Sequence, residues 1–335
     1  MSNETLDITT TAGKYKKWAL EARRDFINLR LKQDKEIKKM YIDVTKRITK
    51  ELEKEGISKF SEKKLKLILK QLNREIELLN DQLTINFDDY LKQNIEVATN
   101  YSKSILMKAI ESAGISKVTK TSIQNIFYEI NIRTLEAYWT RSKDGLFLSD
   151  VIWSKNIKYR DIMTKILQAA VVEGQDCVKV ARMLEKYVLK GKQTLVDDYP
   201  NMIKRIGNRI PKDVSYEALR LARTEMTAAY GEGVLVAAKV NPATQGVKYI
   251  LSKNHPKRDI CDDITGTDNY GLGIGVYPID NAPSYPFHPH CLCVVLSVNE
   301  QPEELVARLK RWSENPNSEP AMENWYQKIY KNMIA

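Results

Sequence analysis

Residues 62–83 have the sequence EKKLKLILKQLNREIELLNDQL, and this stretch decides the predicted fold. Its apolar side chains recur at alternating steps of four and three residues, at Leu65, Leu69, Leu72, Ile76, Leu79 and Leu83. This spacing places them in one stripe along an α-helix, as in the seam of a coiled coil or of a long helical hairpin. The stretch therefore predicts a long helix that packs lengthwise against a second helix.

The residues before this stretch supply a matching partner at 14–55. Their apolar stripe is formed by Ile37, Tyr41, Val44, Ile48 and Leu52. Gly56 is typical of a helix end, and Ser61 followed by Glu62 is typical of the start of the next helix. The simplest prediction pairs the two helices as an antiparallel hairpin in which both stripes serve as core.

Helical patterns continue along most of the remaining chain. They cover residues 102–113, 122–139, 159–172, 176–189 and 216–240, and near the end of the chain residues 303–312 and 321–334. Residues 190–213 are looser, with glycines and prolines in place of a periodic pattern. Two strand-like runs, 246–252 and 293–298, enclose a segment rich in Gly, Pro, Asp and Asn.

We therefore predict a mainly α fold with a small α+β C-terminal lobe. It consists of a long N-terminal helical hairpin, a helical middle and a Cys/His-rich lobe that contains β-strands. The predicted boundaries are 1–115 for the basic long-helix hairpin, 116–240 for the helical domain, 241–300 for the Cys/His-rich lobe and 301–335 for a helical tail.

The chain has 335 residues and a net charge of +10, and most of the excess lies near its start. Residues 14–80 contain 20 basic and 11 acidic residues, a net charge of +9. This asymmetry indicates a polyanionic partner, with nucleic acid as the first candidate; a solvated helix face is the structural alternative. No apolar run approaches the ~20 residues of a membrane span, and four cysteines are too few for a disulfide scaffold. We therefore expect no membrane partner and synthesis in a reducing cytoplasm.

Chemically versatile side chains crowd into residues 255–293. This window holds all three histidines and three of the four cysteines of the chain. Thiolate and imidazole groups on turns are ligands that Zn²⁺ prefers, and a small irregular lobe gains stability from a metal ion that fastens it. The predicted zinc ligands are Cys261, His288, Cys291 and Cys293.

The two other histidines are alternative fourth ligands. His290 adjoins Cys291, and adjacent side chains converge poorly on one ion, so His288 is preferred; His255 is a spare candidate. Two readings without a metal stay open. The cysteines could be reduced and packed as small hydrophobic residues, or Cys261 could enter a disulfide formed outside the cell. Cys177 lies in a helical stretch and is expected to be ordinary core.

No catalytic motif accompanies this cluster. The His-x-Glu and Cys-x-x-Cys pair of zinc deaminases, the His-Glu-x-x-His of metalloproteases and the glycine-rich phosphate loops do not occur in the sequence. Asp259, Asp262, Asp263 and Asp268 offer oxygen ligands for Mg²⁺, but Asp is also the usual residue of turns. We therefore expect a protein without enzymatic activity.

Three stretches together resemble the phage Mu F-like head-morphogenesis family, the minor capsid proteins of tailed phages. The first stretch is Arg-Thr-Glu at 223–225 within a helix, the second is His-Pro-Lys-Arg-Asp-Ile-Cys-Asp at 255–262 followed by Gly266, and the third is Phe-His-Pro-His-Cys-Leu-Cys at 287–293. The resemblance covers about residues 120–298. His290 and Leu292 depart from it, since many relatives have Asn and Arg there.

This resemblance implies a structural role. The expected protein is a minor head protein, a late protein made in the host cytoplasm and carried in the virion, inside the capsid. Its expected partners are the portal and the capsid or scaffold proteins, with non-specific binding of phage DNA as a further expectation that suits the basic hairpin. The alternatives are a metal-dependent nuclease or modifying toxin built on the same Cys/His lobe, and a plain nucleic-acid-binding protein.

Overall fold

Helices account for most of this structure, a computed structural model that describes residues 3–56, 58–142, 144–198, 200, 203–204, 210–211, 213, 215–255 and 257–334. The helices are α1 (Asn3–Ala12), α2 (Lys16–Lys54), α3 (Glu62–Ala113), α4 (Lys120–Thr140), α5 (Leu148–Val172), α6 (Cys177–Lys190), α7 (Gln193–Asp198), α8 (Tyr216–Val240), α9 (Ile260–Gly266), α10 (Pro302–Glu314), α11 (Pro320–Trp325) and α12 (Lys331–Ile334). A π-helical turn, Tyr326–Tyr330, joins the last two.

Three strands form one small antiparallel sheet near the C-terminus. They are β1 (Thr244–Ile250), β2 (Val276–Tyr277) and β3 (Val294–Asn299), in the order β2-β1-β3. The structure thus confirms the predicted fold class, mainly α with a small α+β C-terminal lobe.

The differences from the predicted elements concern short or weakly patterned segments. α5 begins at Leu148, well before the predicted start at residue 159, and both α9 and β2 were unpredicted. The predicted loose segment 190–213 contains α7 and lies partly outside the described residues.

Contacts divide the chain into two compact units, each assembled from separate stretches. The first contains Met1–Arg30, Tyr90–Thr140 and Arg223–Ala335, and the second contains Leu31–Asp89 and Arg141–Ala222. The four-part division predicted from the sequence runs strictly along the chain and stays a prediction.

The second unit is built on the predicted hairpin. Gln33 of α2 donates a hydrogen bond to Asn86 of α3 at 3.2 Å, and Arg47 pairs with Glu75 at 2.6 Å, so the helices run antiparallel. All five apolar residues of the α2 stripe are buried, as are the four of the α3 stripe from Leu72 to Leu83. Burial of such side chains stabilises a fold by about 1.5–3 kcal/mol each, so this seam holds the hairpin together.

The first unit contains the sheet. β1 lies between its neighbours, and its Tyr249 is fully buried in an apolar cluster with Phe26 of α2 and Tyr230 of α8. The C-terminal helices close a second cluster, in which Trp325 donates a hydrogen bond from its indole nitrogen to the Val240 carbonyl at 2.8 Å. The two clusters contain side chains from opposite faces of the sheet, so both of its faces are covered by apolar residues.

Candidate metal centre

The pairing of β1 with β3 brings the cysteine-bearing loops together. Ile250, the last residue of β1, pairs with Val294, the first residue of β3. The chain that leaves β1 at Ile250 and the chain that enters β3 after Cys293 therefore run side by side. This register explains why two loops about forty residues apart in sequence meet at one place.

A helix cap directs the third cysteine toward the same place. The Asp259 carboxylate accepts a hydrogen bond from the Cys261 amide at 2.8 Å, and the Asp262 carboxylate accepts one from the Asp259 amide at 2.8 Å. This reciprocal capping box starts α9 and holds Cys261 in its first turn. The same amides lower the pKa of both carboxyl groups, since they stabilise the charged form.

Three thiols meet in a buried cluster. Cys261, Cys291 and Cys293 are at most 1 % exposed, and their sulfur atoms lie within 4.8 Å of one another without a disulfide bond. The sulfur atoms of Cys261 and Cys291 are 3.8 Å apart. Tetrahedral zinc with bonds of about 2.3 Å holds two sulfur ligands about 3.8 Å apart, so the donor set fits a metal ion.

His288 joins this cluster through a tight turn. The Cys291 amide donates to the His288 carbonyl at 3.1 Å, and this turn places the His288 Nε2 atom 3.1 Å from the Cys261 sulfur. The Nδ1 atom of His288 lies 2.8 Å from the Pro289 carbonyl, which can only accept a hydrogen bond. Nδ1 therefore carries the proton, and in the neutral ring Nε2 is left with the lone pair that a metal needs.

The same turn sets the backbone conformation of His290, which lies between His288 and Cys291. His290 has a φ of +65°, the left-handed region that Asn and His enter more readily than most residues. His290 belongs to neither group of metal-ligating residues found among the described residues.

A second group of potential ligands shares Cys261 with the first. It consists of His255, Asp259 and Cys261. The Nε2 atom of His255 lies 2.9 Å from an Asp262 oxygen, which makes that nitrogen a donor to a carboxylate, while His288 Nε2 lies 3.4 Å from an Asp259 oxygen. The lobe thus offers two overlapping groups that could hold a metal ion.

The electrostatics of the three thiols favour a bound cation. A hydrogen bond with Cys293 lowers the pKa of the Cys291 thiol to about 6, and the same contact raises the pKa of Cys293. Burial raises the pKa of the Cys261 thiol. Cys291 is therefore the thiol that loses its proton most readily, and a divalent cation bound by all three sulfur atoms would take the place of the protons on Cys261 and Cys293.

Aromatic side chains and α8 support the loops from behind. The Tyr285 hydroxyl donates to the Cys293 carbonyl at 2.5 Å, and its ring packs edge-on against Phe287 at 5.4 Å between centroids. Gly231 of α8 lies against the Tyr285 ring, so that a Cβ atom there would collide with it. The hydroxyl of Thr227 in α8 lies 3.5 Å from the Cys291 carbonyl oxygen.

The structure thus brings together the four predicted ligands and leaves their metal binding a prediction. Cys177 is separate: it is buried in the second unit at the start of α6, as expected for core. No sequence pattern marks Tyr285 or Gly231 as part of the site. Tyr285 lies two residues before the third motif, and no sequence pattern indicates that its hydroxyl donates to a cysteine carbonyl.

Comparisons with protein-family models, with curated proteins and with solved structures find no match for this chain. Within the described residues, every helix is too short or too polar to cross a membrane.

Proposed function

We propose that this chain is a minor head protein of a tailed phage, and that Zn²⁺ bound by Cys261, His288, Cys291 and Cys293 fastens its C-terminal lobe. The observation that carries the proposal is that the second and third motifs, which resemble those of the head-morphogenesis family, meet at one buried cluster, with the helix of the first motif beside it. Thr227, just after the Arg-Thr-Glu triplet, reaches the carbonyl of Cys291, and Cys291 lies 3.8 Å from Cys261. Motifs that share one site belong to one structural unit.

Burial favours a structural metal over a catalytic one. A catalytic zinc keeps a position open to water, whereas a structural zinc is closed by four protein ligands. The three sulfur atoms belong to buried residues, and His288, with its proton on Nδ1, would supply the fourth ligand through Nε2. Zinc would join the two loops at one point, and the chain's own residues would form the rest of the lobe.

The zinc part of the proposal is tested on the full chain purified without chelators. We expect one zinc ion per chain by elemental analysis and one bound Co²⁺ after exchange, with the absorption of thiolate ligands. A metal-free preparation that does not take up Co²⁺ contradicts it.

The head-protein part is tested on particles. A tagged chain expressed in a host that carries the producing phage is expected to sediment with purified heads, in few copies per particle, and to crosslink to the portal. Heads that contain the major capsid protein and portal but not this chain contradict the assignment.

The basic N-terminal quarter supports non-specific binding of phage DNA within the head. With 20 basic residues against 11 acidic ones in residues 14–80, binding would be made to phosphates. The logarithm of the DNA affinity is then expected to fall linearly with the logarithm of salt concentration, equally for unrelated sequences. An affinity that does not depend on salt argues against this contact.

A metal-dependent nuclease or modifying toxin is the second candidate, and one observation favours it. The Asp259 side chain is partly exposed and lies 3.4 Å from His288 Nε2, so it could replace a cysteine as an oxygen ligand and leave a position for water. The nuclease form predicts plasmid cleavage with Mg²⁺, Mn²⁺ or Zn²⁺ that Asp259→Asn abolishes. The absence of cleavage with all three ions would leave only the structural role.

A further inference from the structure

A buried ion pair joins the N-terminal helices of the first unit. Arg23 of α2 contacts the Glu4 carboxylate of α1 through Nε at 3.0 Å and through Nη2 at 2.9 Å, and both residues are less than one tenth exposed. Removing two charges from water is unfavourable, and their mutual attraction offsets this cost only when further hydrogen bonds satisfy the remaining atoms. The other hydrogen bonds of Arg23 and Glu4 therefore show which groups the buried pair depends on.

Both further bonds go to the loops of the candidate metal centre. Arg23 Nη2 donates to the Leu292 carbonyl at 2.9 Å, and the second oxygen of Glu4 accepts from the Lys253 amide at 3.0 Å. Leu292 is the residue between Cys291 and Cys293, and Lys253 begins the loop that leads to His255. One ion pair thus holds one backbone group in each of the two loops that β1 and β3 bring together.

We infer that the Glu4–Arg23 ion pair positions the metal-binding loops, an inference that rests on the proposed metal site. A cysteine-x-cysteine segment can bring both sulfur atoms to one ion only if the peptide between them has the correct orientation. Arg23 holds that peptide in place through the hydrogen bond to the Leu292 carbonyl oxygen. Its planar guanidinium contacts the carboxylate and the carbonyl together, which a lysine ammonium on a flexible stem does less well.

The position of these residues in the sequence makes the inference unexpected. The predicted boundaries assign residues 1–115 to a hairpin region, separate from the Cys/His lobe at 241–300. Glu4 and Arg23 instead act as part of the lobe, although they lie 249 and 269 residues away along the chain from the residues that they contact. They are positioning residues, since neither provides a ligand to the ion.

The experiment measures Co²⁺ binding by the full chain with Arg23 altered. Groups that orient metal ligands typically change affinity by about 10–100-fold, so we expect the Kd of Arg23→Gln to rise by that factor. At saturating Co²⁺ the thiolate absorption per bound ion is expected to fall, because Cys291 and Cys293 no longer converge. Arg23→Lys is expected to restore part of the affinity.

Arg24→Gln is the matched control. The Arg24 guanidinium is mostly exposed and pairs with the neighbouring Asp25, so the change removes the same charge one residue away without touching the loops. Its Kd and spectrum are expected to equal those of the unaltered chain.

Thermal unfolding separates positioning from general stabilisation. If Arg23 only stabilised the fold, its loss would lower the melting temperature of metal-free and metal-loaded protein alike. Positioning instead predicts that the increase in melting temperature caused by Co²⁺ becomes smaller, because coupling between two interactions is reciprocal.

Arg23→Gln leaves the Glu4 carboxylate buried without its partner, and the variant could fail to fold for that reason. The double variant Glu4→Gln with Arg23→Met removes both charges, so no unpaired charge is left buried, and its Co²⁺ binding can be measured in the same way. If a folded Arg23 variant keeps the same Kd for Co²⁺, the same spectrum and the same Co²⁺-induced rise in melting temperature, the positioning role is wrong. The proposed metal site is not affected by that result. Failure of the unaltered chain to bind Co²⁺ overturns both proposals.

Discussion

The hairpin at residues 31–89 and the lobe at residues 244–299 are stable for different reasons. Along the hairpin, apolar residues are buried at every turn, so its stability is the sum of many similar contributions. In the lobe, short strands and loops converge on three cysteines and a few aromatic rings. The hairpin should therefore tolerate the loss of one side chain, whereas the lobe should not tolerate the loss of one of its central cysteines.

This contrast is also chemical. The hairpin needs residues that are apolar and of suitable size, and several residue types meet that need. The lobe needs particular atoms: sulfur at three positions, an imidazole nitrogen freed by the Pro289 carbonyl, and a tyrosine hydroxyl on the Cys293 carbonyl. Substitutions in the two regions should therefore have different consequences for stability and for metal binding.

The largest effect is expected from Cys291→Ser. Structural zinc ions contribute about 10–16 kcal/mol of apparent binding free energy in small domains, and loss of a central ligand removes much of it. We expect zinc content to fall from one ion per chain to near zero. Protease cleavage should then begin within residues 246–298 while the hairpin stays intact, as measured by elemental analysis and limited proteolysis with mass spectrometry.

Cys177→Ser is the matched control for this prediction. Cys177 is equally buried, but in the second unit, with its sulfur 3.8 Å from the Ser58 hydroxyl. It should keep a full zinc content and a protected lobe. If Cys291→Ser has the same zinc content and protease resistance as Cys177→Ser, the cysteines of the lobe are packed as hydrophobic side chains and the contrast between the regions disappears.

The next effect tests the hairpin by itself. Leu72→Ala removes a fully buried side chain from the α3 stripe, and such truncations cost about 2–5 kcal/mol. We expect a lower midpoint of urea unfolding, followed by the helical circular dichroism signal, with unchanged zinc content. The exposed Leu78 on the same helix supplies a control, since Leu78→Ala should change the free energy of unfolding by less than about 0.5 kcal/mol. A loss of zinc in Leu72→Ala would show that the regions are not independently stabilised.

The same difference determines how much the sequence could predict. The stripe from Ile37 to Leu52 has the period of a helix, so its burial and the antiparallel pairing follow from spacing. Crowding of Cys and His predicted the site residues, because those residue types are rare in the chain. β2, with two residues, and α9, with seven, are too short for a periodic pattern, and both were missed.

Contacts that depend on the fold could not be predicted. The proximity of Arg23 to Leu292 follows from how α1 and α2 pack in the first unit, and nothing in the N-terminal sequence marks one arginine among many basic residues. The role of Asp259 could have been found, since Asp three residues before Asp262 matches a capping box at the start of α9. It was assigned only to turn residues or to Mg²⁺ ligands.

A moderate effect is expected where α8 supports the lobe. Gly231→Ala gains about 1 kcal/mol of helix propensity, but the added methyl group meets the Tyr285 ring, and overpacking costs about 1–3 kcal/mol. We expect the second effect to prevail, with a lower melting temperature and weaker Co²⁺ binding, because Tyr285 holds the Cys293 carbonyl. Gly266→Ala at the end of α9 meets no atom within 4 Å and should be neutral or slightly stabilising. Equal melting temperatures for the two variants would remove Tyr285 from the support of the site.

The smallest effect is expected at His290, and it sharpens the choice of the fourth ligand. His290→Asn keeps a residue that tolerates the left-handed backbone at φ +65°, so the free energy of unfolding should change by less than about 1 kcal/mol and the Kd for Co²⁺ should stay the same. His288→Asn, two residues away, removes the nitrogen 3.1 Å from the Cys261 sulfur and should weaken Co²⁺ binding at least about tenfold. Titration of both variants with Co²⁺ compares the imidazole that lies beside the Cys261 sulfur with the imidazole at the left-handed position of the turn. If His290→Asn lost the metal and His288→Asn kept it, the turn would present the opposite histidine, and the tautomer argument from the Pro289 carbonyl would be wrong.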